Sequence, residues 1–203
     1  MRYVNYTPLM LSIVTFLLVF NFFYGLAPIF IPFTIEDVYK YTPNGYVYPS
    51  DKPDKIVAHY TVHGSYRVFE YWYHWPYDGY EKRDDWEPVV VYVKDNSVHA
   101  VAFRIHYNWR VIYSPPVEED THVRITFGYL WHTPTIATPP HGYVKVDLKP
   151  VIGQPPETLD HGKIIGIPSP LESAFVSAVT YATISAVVVY FVSSFVISRV
   201  KQA

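Results

Sequence analysis

Two long uncharged runs bracket a chain whose middle alternates between polar and apolar positions. The first run is "LMLSIVTFLLVFNFFYGL", Leu9 to Leu26, closed by Pro28. Its 18 residues span about 27 Å as a helix, close to the hydrocarbon thickness of a bilayer. The second, "FVSAVTYATISAVVVYFVSSFVI", covers 23 residues from Phe175 to Ile197 and predicts a spanning helix. Between them lie "KIVAHYTVH" (Lys55 to His63), "YRVFEYWYHW" (Tyr66 to Trp75), "PVVVYVK" (Pro88 to Lys94), "HAVAFRIHY" (His99 to Tyr107), "HVRITFGYLW" (His122 to Trp131) and "GYVKVDL" (Gly142 to Leu148). None has a helical period. Their breaks, "HGS", "PYDG", "KDNS", "SPPVEED" and "TPPHG", are turn-like. Short strands at this spacing predict a mainly β fold, an antiparallel β-sandwich flanked by N- and C-terminal transmembrane helices. One short helix is expected within "FTIEDVYKY".

These patterns divide the chain into an N-terminal anchor (1–33), an extracytoplasmic sandwich (34–148), a Pro/Gly-rich extended stem (149–170) and a C-terminal transmembrane helix with a short tail (171–203). A cleaved signal peptide is the rival reading of the first run, but Pro28 directly after Ala27 is a poor cleavage context. Arg199 and Lys201 past the second run place the C-terminus in the cytoplasm. Two spans then put both termini inside and the main domain outside the cell membrane. Ala174, Ala178, Ala182 and Ala186 recur at four-residue spacing. Such a face lets helices approach closely in lipid, and its partner is the first helix, a second copy or another membrane subunit.

Composition narrows the function. Lys and Arg total 16 and do not cluster, and the net charge is -2, so no nucleic-acid partner is expected. There is no Cys, which excludes disulfides, thiolate metal sites and a Cys nucleophile. Tyr is used 20 times and Pro 18 times, consistent with strands and turns. Double anchoring, absent Cys and abundant Tyr resemble the composition of cell-envelope proteins of thermophilic archaea. No zinc signature, P-loop, dinucleotide fingerprint or G-x-S-x-G motif is present. No catalytic residue is assigned, and an enzyme is the less favoured reading.

Candidate chemistry concentrates in "WPYDGYEKRDDWEPVVVYV", Trp75 to Val93. Residues i and i+2 of a strand share a face, so Asp85 and Glu87 point one way and Trp86 the other. With Asp78 and Asp84 nearby, the crowded carboxylates call for a cation: Ca²⁺ or Mg²⁺, or an internal partner, Lys82 or Arg83. Among the aromatic residues, "HYNWRVIY" (His106 to Tyr113) reads as the exposed exception and offers Trp109 and Arg110 to a ligand.

The stretch "WYHWPYDGYEKRDDWEPVVVYV" resembles the core of the necrosis- and ethylene-inducing-like proteins, where "W-Y-F-P-K-D" leads to "G-H-R-H-D-W-E" and a Val-rich strand. "W-P-Y-D" (Trp75 to Asp78), Arg83 and "D-W-E" (Asp85 to Glu87) match. A vacuolar-protein-sorting-like family with a "G-D-W-E" strand is an equally fair comparison. The resemblance implies a β-sandwich and a divalent cation on Asp78, Lys82, Asp85 and Glu87. The connecting loop is about four residues shorter, Glu81 replaces the motif's Gly and Lys82 its first His, and Asp84 replaces its second His as an extra oxygen donor. The resemblance also brings His106 toward the metal and His132 toward the ligand pocket. The family's members are secreted, whereas this chain carries anchors. The expected function is thus a membrane-anchored module that binds a glycan or lipid head group with a divalent cation. The alternative is a non-catalytic accessory subunit of a larger cell-envelope membrane complex.

Overall fold

The computed structural model describes residues 7–26, 34–77 and 84–200. They belong to two compact units, Met1–Ile31 with Pro168–Ala203, and Pro32–Ile167.

In the helical unit, α1 (Thr7–Leu26) packs along α4 (Pro170–Val200). Ala178 and Ala182 are fully buried, and Phe20 meets Phe175 edge-on at 6.0 Å. Two of the four alanines of the small-residue face of α4 are thus buried within this unit. One stretch among the described residues, Phe175–Ser198, is long and apolar enough to cross a membrane. The apolar part of α1, Thr7–Phe22, is shorter, so a second span is not established by length.

The other unit is mainly β. Thr34 caps the short helix α2 (Ile35–Lys40) by accepting from the Asp37 amide, where the sequence places a helix. Eleven strands follow among the described residues: β1 (Asn44–Val47), β2 (Lys55–His63), β3 (Tyr66–Trp75), β4 (Asp85–Lys94), β5 (Ser97–Ile105), β6 (Asn108–Tyr113), β7 (Val117–Glu118), β8 (His122–Phe127), β9 (Pro134–Thr135), β10 (Val144–Lys145) and β11 (Val151–Ile152). One sheet runs β11-β2-β3-β4-β5-β6. The other runs β10-β1-β8-β7, with β9 on β8. The expected all-antiparallel arrangement is corrected here, because β1 pairs β8 in parallel and β11 pairs β2 in parallel. Both parallel pairs involve strands too short for the alternation signal.

Turn chemistry fixes the hairpin registers. Gly64 adopts φ 61 in the β2–β3 turn, and Asp95 and Asn96 adopt φ 49 and 62 between β4 and β5. Positive φ at both central residues is the hairpin geometry that Asp and Asn tolerate. The inward side chains of β3 and β4 (Phe69, Tyr71, Tyr73, Trp75, Val89, Val91, Val93) join Val123, Ile125 and Phe127 of β8 in one core shared by both sheets.

The outward side chains of the same strands are buried as well. Of residues 149–170, expected as an extended stem, those up to Ile167 belong to this unit, and 159–167 instead fold back onto them. Asp160 caps α3 (His161–Ile165), accepting from the Lys163 amide, and Gly166 ends it at φ 74, a left-handed C-terminal residue suited to Gly. Leu159, Ile164, Ile165 and Ile167 cover Val68, Val90, Tyr92, Ala100 and Ala102. The buried Glu70 is fully partnered there: Trp72 Nε1 donates to it at 3.1 Å, and His161 Nε2 lies 3.0 Å away. His161 Nδ1 in turn meets the Tyr92 hydroxyl at 2.9 Å. The continuous apolar run "VVVYV" reflects this double cover, since a strand buried on both faces does not alternate.

Candidate functional site

The β3–β4 hairpin ends beside two loops, the β1–β2 loop (48–54) and the β8–β9 loop (128–133). The alternation of the paired strands sends successive residues to opposite faces. Trp75 opposes Asp85 on the core side, and His74 opposes Trp86 on the outer side. Each face carries a histidine between two aspartates.

On the core side, His132 is 1% exposed and stacks on Trp75 at 4.2 Å, the rings 8° apart. Its Nδ1 lies 2.7 Å from Asp85 Oδ2 and its Nε2 3.0 Å from Asp51 Oδ1, both within hydrogen-bond reach. Burial alone would lower its pKa, but the hydrogen bonds to Asp85 and Asp51 outweigh it and raise the pKa. Asp51 also accepts from the Leu130 amide at 2.7 Å, and Gly128 and Thr133 close the loop by a backbone bond of 3.0 Å. Leu130 and His132 hold φ 65 and 48, a conformation non-glycine residues seldom adopt. Two carboxylates therefore fasten this loop from within. Outside, it presents Tyr129 and Trp131, 46% and 59% exposed. Tyr129 leans on exposed Tyr48 at 4.8 Å, and Tyr48 on Tyr143 at 6.1 Å.

Glu87 shares the Asp85 face. Burial, then the Asp85 charge, push its carboxyl up to about 9, with Arg104 partly opposing. Near neutral pH Glu87 is therefore a neutral acid on the face that also carries Asp85.

On the outer side, His74 is 4% exposed. Its Nδ1 lies 2.5 Å from Asp54 Oδ1, and its Nε2 is 3.6 Å from Asp84 Oδ2. Trp86 lies against the ring at 4.4 Å and carries the Lys55 ammonium over its own face at 5.0 Å.

The structure thus brings together two of the residues expected from sequence, Asp85 with His132, and places Glu87 beside them. Asp84 goes to the other face, with His74. His106 stands exposed on the β5–β6 turn at φ 55. Trp109 is half-buried against the outer apolar cluster, so it is not the exposed ring the sequence suggested, while Arg110 is exposed on β6. Asp78, Lys82 and Arg83 lie outside the described residues. Among the described residues, no three His, Cys, Asp or Glu side chains converge in a group able to hold a metal. Sequence reasoning missed Asp51 and Asp54, whose run "SDKPD" reads as a plain turn. It also did not single out His74, which carried no motif.

No family model matches the chain, and no curated protein matches it. Among solved structures it is similar to NLPPya in complex with glucosamine, at 14% identity over 48% of this chain and 63% of that chain, with a TM-score of 0.44. It is similar to NLPPya in complex with mannosamine, at 14% identity over 48% and 63%, with a TM-score of 0.43. A third is Necrosis and Ethylene inducing Protein 2 from the causal agent of cocoa's Witches Broom disease, at 15% identity over 72% and 79%, with a TM-score of 0.44. The matched part spans less than two thirds of the NLPPya chain. These neighbours are necrosis- and ethylene-inducing toxin-fold proteins, the family whose motif "W-P-Y-D…D-W-E" resembles.

Proposed function

We propose that this protein is a membrane-anchored module that displays its β unit outside the cell and binds glycans on the β8–β9 loop. The observation that carries the reading is the exposed Tyr129 and Trp131, set on a loop that Asp51 and Asp85 lock through His132. Rings are rigid, amphipathic contact surfaces that lose little entropy on binding. Holding the loop in one conformation beforehand removes a further binding cost. Anchoring rests on the apolar helix Phe175–Ser198, and Arg199 and Lys201 orient the C-terminus to the cytoplasm. Cation dependence belongs to the proposal through Asp85 and Glu87, because a Ca²⁺ or Mg²⁺ ion held between them would displace the Glu87 proton and take both carboxylates as oxygen ligands.

The test is calorimetric titration of the detergent-solubilised full chain with glucosamine and mannosamine, followed by a glycan array, each with calcium and with chelator. Saturable binding is expected, weakened about tenfold or more by Trp131→Ala in a protein that still unfolds cooperatively. Absence of binding across the array, or binding indifferent to Trp131→Ala and Tyr129→Ala, overturns the reading.

A second reading, an accessory subunit of a cell-envelope complex, draws on β6. This edge strand shows Tyr113 and Ile112 at 57% and 38% exposure, next to Tyr107 at 96%. Exposed edges pair readily with other chains. Cross-linking in membranes through a photoreactive group at position 113 would capture such a partner subunit or a second copy.

A further inference from the structure

The outer cluster does not take part in fastening the aromatic loop, and its hydrogen bonding is incomplete. His74 Nδ1 is engaged by Asp54 Oδ1 at 2.5 Å, which fixes the ring orientation and makes Nδ1 the donor. Nε2 on the other side of the ring is buried and has no hydrogen-bond partner among the described residues. It faces Asp84 Oδ2 at 3.6 Å, beyond hydrogen-bond reach. If Nε2 carries a proton, a buried N–H is left unpaired. If it does not, a buried lone pair faces a carboxylate. Both states are unfavourable for a ring nitrogen buried against the Trp86 ring.

We propose that His74 Nε2 and Asp84 Oδ2 are two ligands of a zinc-type transition-metal ion, with Asp54 as the partner that orients the histidine. Zn–N and Zn–O bonds of about 2.0–2.2 Å at a tetrahedral angle hold two ligand atoms about 3.4 Å apart, close to the spacing seen. A ligating histidine that donates its other N–H to a carboxylate is the usual arrangement around such metals. An ion at this point takes the Nε2 lone pair and neutralises Asp84 in one step. Lys55, the register partner of His74 on β2, does not compete, since its ammonium lies over the Trp86 ring. A single imidazole and a single carboxylate leave positions for water, so the site is an open one. The strand alternation keeps it apart from the Asp85–Glu87 face, where an oxygen-only set favours Ca²⁺ or Mg²⁺.

The experiment uses the tag-free full chain in detergent, stripped with chelator and titrated with ZnCl₂ by calorimetry, and with CoCl₂ by visible absorption. One saturating site is expected, with a rise in melting temperature, because the ion binds the folded state. Asp84 is 72% exposed, so Asp84→Asn should fold normally and abolish the site. Asp54→Asn should weaken it about 10- to 100-fold, the loss typical when the oriented partner of a metal ligand is removed. Asp85→Asn should leave zinc binding unchanged, which separates this site from the glycan-binding proposal. No zinc or cobalt binding, or binding retained in Asp84→Asn, overturns the assignment.

Discussion

The two faces of the β3–β4 hairpin carry the same three residue types and complete them differently. On the core face both nitrogens of His132 reach a carboxylate oxygen, and Trp75 closes the ring from the side. On the outer face one nitrogen of His74 is engaged and the other stops 3.6 Å short of an exposed aspartate. A satisfied buried network rigidifies what it touches, and a partly satisfied one is unstable unless something completes it. The first cluster is therefore a clasp and the second a socket.

The sharpest way to break this comparison is to empty the clasp. His132→Ala leaves Asp51 and Asp85 without their shared hydrogen-bond partner and removes the Trp75 stack. It should destabilise the fold by about 2–4 kcal/mol, as expected for removing a buried ring and leaving its hydrogen-bond partners unmatched, read by denaturant unfolding. A loss under about 1 kcal/mol would mean that the core-side cluster is no clasp.

A smaller effect tests the electrostatics of the same face. The folded pKa of Glu87, about 9 against an ordinary 4.5, means that the native state holds a proton the unfolded chain has released. Its contribution is present below about pH 4.5 and is lost as pH rises through about 9. His132, raised above 6.5, acts in the same direction, stabilising below about 6.5 and losing that contribution through its raised pKa. The protein should thus be more stable at pH 6 than at pH 9. Glu87→Gln should stabilise it at pH 8, on the order of 1–3 kcal/mol, and flatten the profile. An unchanged slope in this variant would show that Glu87 is ionised in the native state.

The smallest expected effect lies on the socket. Metal-free Asp84→Asn should change stability by no more than about 0.5 kcal/mol, because the residue is exposed and its contact is long. A larger loss would make the outer cluster a second clasp and erase the difference between the faces.

Part of the site was legible along the chain. The period-2 alternation of a strand put Asp85 and Glu87 on one side of β4 and Trp86 on the other, and the register agrees. The partners of those residues were not legible. His132 is 47 residues from Asp85 and 81 from Asp51, and nothing local in "LWHTP" or "SDKPD" links them. The fold-back of residues 159–167 was hidden for a different reason. Its helix, His161–Ile165, is five residues long, too short for a helical period, so a Pro/Gly-rich stretch read as an extended stem.

The sequence by itself determined where charge and hydrophobicity change period, and with them the apolar helices, the long strands and their turns. Those features depend on neighbours a few residues apart, where propensity and burial pattern act directly. Which carboxylate meets which histidine, and which face α3 covers, were decided by tertiary structure alone. The separation of 91 residues from Glu70 to His161 carries no local signal, and only burying both in one apolar layer requires them to pair.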